Sequence, residues 1–145
     1  MKLINSTIEG TTVIFEFEGG QILEVHNWGA GDKFWHVNGN YHREGGPALE
    51  DSNGDKSWYL MGKRHREDGP AVQRSNGDKY WWLNGKCHRE DGPAIEYANG
   101  HKEWYLNGKR HREEGPAIEW ANGHKAWYLM GKRLSEDQFN QRKPK

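Results

Sequence analysis

Residues 100 to 122, Gly-His-Lys-Glu-Trp-Tyr-Leu-Asn-Gly-Lys-Arg-His-Arg-Glu-Glu-Gly-Pro-Ala-Ile-Glu-Trp-Ala-Asn, are the template for everything from Gly31 onward. The 23-residue unit starts at Gly31, Gly54, Gly77, Gly100 and Gly123, giving four full copies and a fifth that breaks off after Arg133. A fixed short period is the signature of a repeat array, so the fold has to be argued per unit and not per domain.

Apolar content alone would place the chain near the disordered class, at 33% apolar residues and a mean hydropathy of -1.16. Eight Trp, six Tyr and four Phe reverse that reading, because aromatics at regular intervals supply large buried area per residue. Twenty-one basic and twenty-one acidic side chains cancel, so no global field draws the chain to nucleic acid or to an anionic membrane. Met1 to Ser6 has no apolar core of signal-peptide length, and no stretch reaches a membrane span. A cytoplasmic location is expected, the host cytoplasm for a phage-encoded chain. The single cysteine, Cys87, excludes an internal disulfide and fills the position held by Arg64, Arg110 and Arg133. It is expected to be a surface thiol.

Residues 1–30 lie outside the repeat, and Thr12 to Val25 reads as two strands joined at Gly19-Gly20, an N-terminal β-hairpin cap. Residues 31–133 form the array. Each unit carries Asn-Gly (Asn53-Gly54, Asn76-Gly77, Asn99-Gly100, Asn122-Gly123), which predicts a type I′ turn. Folding about those turns pairs Leu49 with Trp58, Val72 with Trp81, Ile95 with Trp104 and Ile118 with Trp127. Alternation then places the Trp, Leu and aliphatic positions on one face. The other face takes the Ala of Gly-Pro-Ala, Glu50, Glu96 and Glu119, and a variable aromatic set. A second turn at Asn38-Gly39, Met61-Gly62, Asn84-Gly85, Asn107-Gly108 and Met130-Gly131 leads, in the full copies, into a charged His-Arg-Glu loop closed by Gly-Pro. Residues 134–145 read as a capping helix and tail, with Ser135 and Gln138 in capping-box spacing.

Asn-Gly-Lys-Arg-His at 107 to 111, Tyr-Ala-Asn-Gly at 97 to 100 and the 23-residue period resemble MORN repeats. The His-Arg-Glu-Asp-Gly-Pro-Ala version at 65 to 71 and 88 to 94 is similar to a variant met in bacteriophage and bacterial proteins. The resemblance covers roughly residues 31 to 133 and implies an all-β fold, an elongated antiparallel meander of hairpins. Lys-Glu-Trp-Tyr-Leu at 102 to 106 departs from the usual Tyr-Glu-Gly-Glu-Trp strand, so architecture is what the resemblance carries.

His42, His65, His88 and His111 invite a metal reading. Equivalent residues two strands apart are separated by about 10 Å, twice the strand spacing, whereas zinc ligands lie within about 2.1 Å of the ion. His-Arg-Glu recurs four times with no nucleophile beside it, and no phosphate loop or paired-carboxylate motif is present, so no catalytic residue, cofactor or metal is expected. The His rings are expected to stack on Trp while Arg and the acidic residues pair between units. The expected site is the aromatic face, Phe34, His36, Tyr59, Tyr80, Trp82, Tyr105 and Tyr128, with Arg64 and Arg110 as secondary contacts. Aromatic and Arg side chains concentrate binding energy at protein interfaces. The expectation is a non-enzymatic protein-binding module whose partner is a host protein, in the phage-type case a defence or CRISPR component that it occludes. Self-association as a homodimer through the Trp face and single-stranded nucleic-acid or nucleotide binding are the alternatives. The neutral charge and the Glu residues assigned to the aromatic face weigh against nucleic acid, and no membrane partner is expected.

Overall fold

The computed structural model describes residues 1–26 and 31–142, which are almost entirely β. The lead-in strands are β1 (Leu3–Glu9), β2 (Thr12–Phe17) and β3 (Gln21–His26). The first unit gives β4 (Lys33–Val37), β5 (Asn40–Tyr41) and β6 (Leu49–Glu50). The second gives β7 (Lys56–Ser57), β8 (Tyr59–Leu60), β9 (Lys63–Arg64) and β10 (Val72–Gln73). The third gives β11 (Lys79–Tyr80), β12 (Trp82–Leu83), β13 (Lys86–Cys87) and β14 (Ile95–Glu96). The fourth gives β15 (Lys102–Glu103), β16 (Tyr105–Leu106), β17 (Lys109–Arg110) and β18 (Ile118–Glu119). The chain closes with β19 (Lys125–Leu129), β20 (Lys132–Leu134) and the helix α1 (Glu136–Gln141).

The sheet path is β1-β2-β3-β4-β6-β7-β10-β11-β14-β15-β18-β19-β20, antiparallel throughout, with β5 attached to β4 alone. This is the expected meander of hairpins. β8–β9, β12–β13 and β16–β17 form separate two-strand ladders. Neighbouring ladders are joined by backbone bonds such as Gly85 N–H to the Arg64 carbonyl and Gly108 N–H to the Cys87 carbonyl.

The type I′ geometry expected at Asn53-Gly54 and its equivalents is found instead at the other turn of each unit. Asn38-Gly39, Met61-Gly62, Asn84-Gly85, Asn107-Gly108 and Met130-Gly131 carry positive φ at both residues, for example 49° and 77° at Asn84 and Gly85. These are the two-residue type I′ turns. At Asn99-Gly100 only the glycine is left-handed, at 94°. There Gly100 N–H donates to the Tyr97 carbonyl, Tyr97 N–H donates to the His101 carbonyl, and Asn99 Oδ1 accepts from His101 N–H at 2.9 Å. That is a three-residue loop, a type I turn followed by a left-handed glycine.

An odd loop moves the register by one residue, and the predicted pairs do not form. Leu49 faces Ser57, Val72 faces Tyr80, Ile95 faces Glu103 and Ile118 faces Ala126, so the Trp residues are not their partners. A one-residue slip moves side chains to the other face. The aliphatics therefore share a row with Phe34, Ser57, Tyr80, Glu103 and Ala126, on the variable aromatic face. Glu50, Glu96 and Glu119 move the opposite way. With Gln73 between Lys56 and Lys79, they alternate with Lys33, Lys56, Lys79, Lys102 and Lys125 in a charge ladder on the Trp face. The Ala of each Gly-Pro-Ala, expected on the variable face, is fully buried.

The His-Arg-Glu loops cover the Trp face, and Arg, not His, lies on the ring. Arg43, Arg66, Arg89 and Arg112 sit 4.5, 4.0, 4.0 and 3.9 Å from the ring centroids of Trp35, Trp58, Trp81 and Trp104. Each donates through Nη1 to a proline carbonyl four residues on. A Cβ on Gly69 or Gly92 would stand 2.9 or 3.0 Å from the guanidinium carbon, so the Gly before Pro leaves room for the stack. The Arg carboxylate partners belong to the same unit, not to a neighbour, as in Arg89 with Asp91 and Glu96. Asp68 and Asp91 are 87% and 86% exposed, so those pairs are worth about 1 kcal/mol at most, whereas a desolvated Arg–Trp stack reaches about 2 kcal/mol. The stack sets the loop.

Histidine takes the job of joining units. Nδ1 of His42, His65, His88 and His111 accepts the backbone N–H of Met61, Asn84, Asn107 and Met130 at 2.9 to 3.0 Å. Within each unit, Asp32, Asp55 and Asp78 accept the N–H groups of Ser52, Ser75 and Ala98 and so tie the start of the unit to its end.

The ends differ. The N-terminal cap is three strands, because β1 precedes the expected β2–β3 hairpin. Every residue of β1 is exposed. At the other end the Ser135–Gln138 capping box forms as expected, and α1 buries Phe139 against β19 and β20. The tail expected beyond Arg142, and the cap residues 27–30, lie outside the described residues.

Candidate functional site

The type I′ hairpins place one aromatic opposite one side chain per unit, giving the pairs His36–Tyr41, Tyr59–Arg64, Trp82–Cys87, Tyr105–Arg110 and Tyr128–Arg133. Because the hairpins lie side by side, the pairs form one row. Phe34, Tyr41 and Tyr59 follow one another with centroids 6.3 and 5.4 Å apart. Arg64 lies between Tyr59 and Trp82, at 6.0 and 5.4 Å, and Arg110 between Tyr105 and Tyr128, at 5.7 and 5.5 Å. Most of the row is half-buried, with Tyr41 and Arg133 exposed and Cys87 buried.

Of the expected site residues, the structure brings Tyr59, Arg64, Trp82, Tyr105, Arg110 and Tyr128 into this row. Tyr80 stands apart, edge-on to Tyr97 at 5.8 Å. That contact begins a second aromatic run through His101 to the exposed Trp120. Phe34 contacts Tyr41 and His26. His36 is turned onto Glu24, its Nε2 3.0 Å from Glu24 Oε1, while His26 Nε2 lies 3.3 Å from Glu24 Oε2. Burial acts to raise the Glu24 carboxyl, and the hydrogen bonds from His36 and His26 outweigh it, leaving the group below its ordinary value.

Two members of the site were not expected. Tyr41 occupies in the first unit the place of Arg64, a position the 23-residue period gives directly. Glu103 is the second. It is 8% exposed, accepts from Tyr105 Oη at 3.0 Å and from Arg110 Nε at 3.2 Å, and lies 2.8 Å from His101 Nε2. Burial raises its carboxyl, but the bonds from His101, Tyr105 and Arg110 prevail and hold it low. Glu103 stands two residues before Tyr105 on the same face, and the Tyr105–Arg110 hairpin brings it beside Arg110.

Cys87, expected at the surface, is 7% exposed in the row between Trp82 and Tyr105. Burial, with the Glu103 charge nearby, pushes its thiol up to about 12. Burial and the same carboxylate push the Tyr105 phenol up to about 12.

A second recurrent feature lies on the Trp face. Three equivalent clefts open between successive loops; the one floored by Trp81 and Leu83 has a volume of about 740 Å³. The rim of that cleft is the exposed acidic set Glu67, Asp68, Glu90 and Asp91. Among the described residues, no group of three or more His, Cys, Asp or Glu side chains is arranged to hold a metal ion. No helix among the described residues is long and apolar enough to cross a membrane.

No family model matches the chain, and no curated protein or solved structure is similar to it.

Proposed function

We propose that the chain is a non-enzymatic protein-binding repeat module that engages its partner through the aromatic–arginine row. The observation behind this reading is the row itself. Aromatic rings alternating with guanidiniums are held by successive two-strand hairpins, so they contact a partner at little further cost in entropy. Under the MORN-like resemblance, the narrower form of the proposal is a phage-type inhibitor that occludes a host defence protein.

Capture with the tagged full chain from nuclease-treated host lysate tests the proposal, wild type against Tyr59→Ala/Tyr128→Ala. A stoichiometric protein lost at least tenfold by the double variant, with an unchanged circular dichroism spectrum, is the expected result. Equal capture by both, or material that disappears on nuclease treatment, would count against the row as a protein site.

Self-association is a second reading, favoured by β1. This edge strand pairs only with β2 among the described residues and exposes Leu3, Ile4 and Ile8 at 49%, 61% and 77%. A free strand edge with apolar side chains is a template for another strand. The Trp face, expected earlier as the self-association surface, is occupied by the chain's own arginines.

A further inference from the structure

Arg64 and Arg110 hold the same place in units two apart, each between two aromatic rings, yet only Arg110 has a carboxylate. Its Nε donates to Glu103, which also receives the Tyr105 hydroxyl. The position of Glu103 in the second unit is Ser57, and the surroundings are otherwise alike. Glu103 stands between Ile95 and Ile118, and Ser57 between Leu49 and Val72. Ser57 lacks two carbons of reach and the anion. Correspondingly, Arg64 Nε and the neighbouring Trp82 Nε1 are covered by protein atoms and have no hydrogen-bond partner. Leaving such donors unmet is costly, and the cost is greatest for a charged group.

We infer that Tyr59, Arg64 and Trp82, above Ser57, form a seat for a carboxylate supplied by the protein partner, a Glu or Asp side chain. This rests on the protein-binding reading given above and names the chemistry of one contact in it. The ligand class is set by the chain's own Glu103, which fills the matching seat with a carboxylate on the same scaffold. One negative group borders the site. Asp55 occupies the position of His101, but its oxygens are turned toward the next turn, where Ser75 N–H donates at 2.7 Å and Arg74 at 3.2 Å. The backbone bond from Ser75 is the largest influence holding its carboxyl below the ordinary value, against some desolvation. Its charge is answered locally and leaves the Arg64 guanidinium unpaired among the described residues.

The test is a proton–nitrogen NMR titration of the full chain, following the Trp82 indole and Arg64 Nε–H signals. The probes are Ac-Gly-Glu-Gly-NH2, its Gln counterpart and inorganic phosphate, at constant ionic strength. Expected are saturable shifts with the Glu peptide in the millimolar range, at least tenfold weaker with the Gln peptide. They are also at least tenfold weaker in Ser57→Glu, which supplies the carboxylate internally as Glu103 does, and in Arg64→Gln. Equal response to the Gln peptide, or a full response in folded Ser57→Glu, overturns the seat. Phosphate binding more tightly than the Glu peptide overturns the carboxylate assignment in favour of a phosphate site. The titration needs no partner. If it succeeds while wild type captures no protein, the protein-binding reading fails and the seat stands. If a partner is captured equally by wild type and Ser57→Glu, the seat is overturned and the reading stands.

Discussion

Met61 and Met130 carry a conformation that the other units give to asparagine. Their φ values are 50° and 49°, the same as at Asn84 and Asn107, but an unbranched apolar side chain gains nothing in the left-handed region. Asparagine tolerates that region, so Met61→Asn and Met130→Asn should each raise stability by about 0.5 to 1 kcal/mol, read as higher midpoints in urea. Proton linkage gives a second expectation at this scale. Cys87 and Tyr105 are each pushed up to about 12, from ordinary values of 9.0 and 10.0, by burial first and by Glu103 second. Between those limits the native state keeps protons that the unfolded chain releases, so stability is complete below about pH 9 and falls as pH rises toward 12. Thermal melts from pH 8 to 11 should show the decline, and Cys87→Ala should make it shallower. A melt independent of pH across that range would contradict the buried thiol and phenol. Iodoacetamide should leave native Cys87 unmodified at pH 8 and label it after unfolding.

At the scale of the element, the units are joined by a small, repeated set of bonds, and each can be cut singly. His88→Ala removes the acceptor for Asn107 N–H together with a mostly buried ring between two units. The expected loss is about 1 to 2 kcal/mol. Because each unit leans only on its neighbours, a cut in a central unit should also broaden the urea transition, where Met61→Asn should leave its slope unchanged. The elements show what can be read from the chain and what cannot. The period, the meander, the β2–β3 hairpin and the Ser135 capping box are legible, because each rests on residue types at fixed spacing. The register is not, because Asn-Gly serves two turns of different length. In one turn the asparagine itself is left-handed. In the other it bonds two residues on through Oδ1 and leaves the positive φ to glycine. One residue of difference moves Ile95 and Glu96 to opposite faces. The aromatic row remained legible because Tyr59, Trp82, Tyr105 and Tyr128 belong to the two-residue hairpins, whose pairing does not depend on the other turn. Glu103 was legible on that face but not as a member of the site, since a single acidic side chain in one unit has no periodic signature and its bonds to Tyr105 and Arg110 are diagonal. The Arg–Trp stack was hidden for another reason: the loop holding Arg89 folds back through its Pro93 carbonyl, a contact with no periodic signature.

The two ends of the whole sheet are treated differently, and this gives the prediction at the largest scale. At one end α1 seals β19 and β20 with Phe139, while at the other β1 leaves an edge of exposed Leu3, Ile4 and Ile8. If two copies meet along β1, sedimentation velocity should show the apparent mass rising with concentration. Ile4→Lys/Ile8→Lys should hold it at the monomer value without lowering the melting temperature. A constant monomer mass in wild type would end the self-association reading and leave the aromatic row as the surface to pursue.

The side-chain joins between units, from His42 to Met61, His65 to Asn84 and His88 to Asn107, all span 19 residues along the chain. A wide sheet built from such short-range ties avoids the long loop closures that slow most β proteins. Its ordering can start at any unit and spread like a zipper. During synthesis each unit can lock onto the one before it within seconds of leaving the ribosome, so that the growing edge is always a single unit wide.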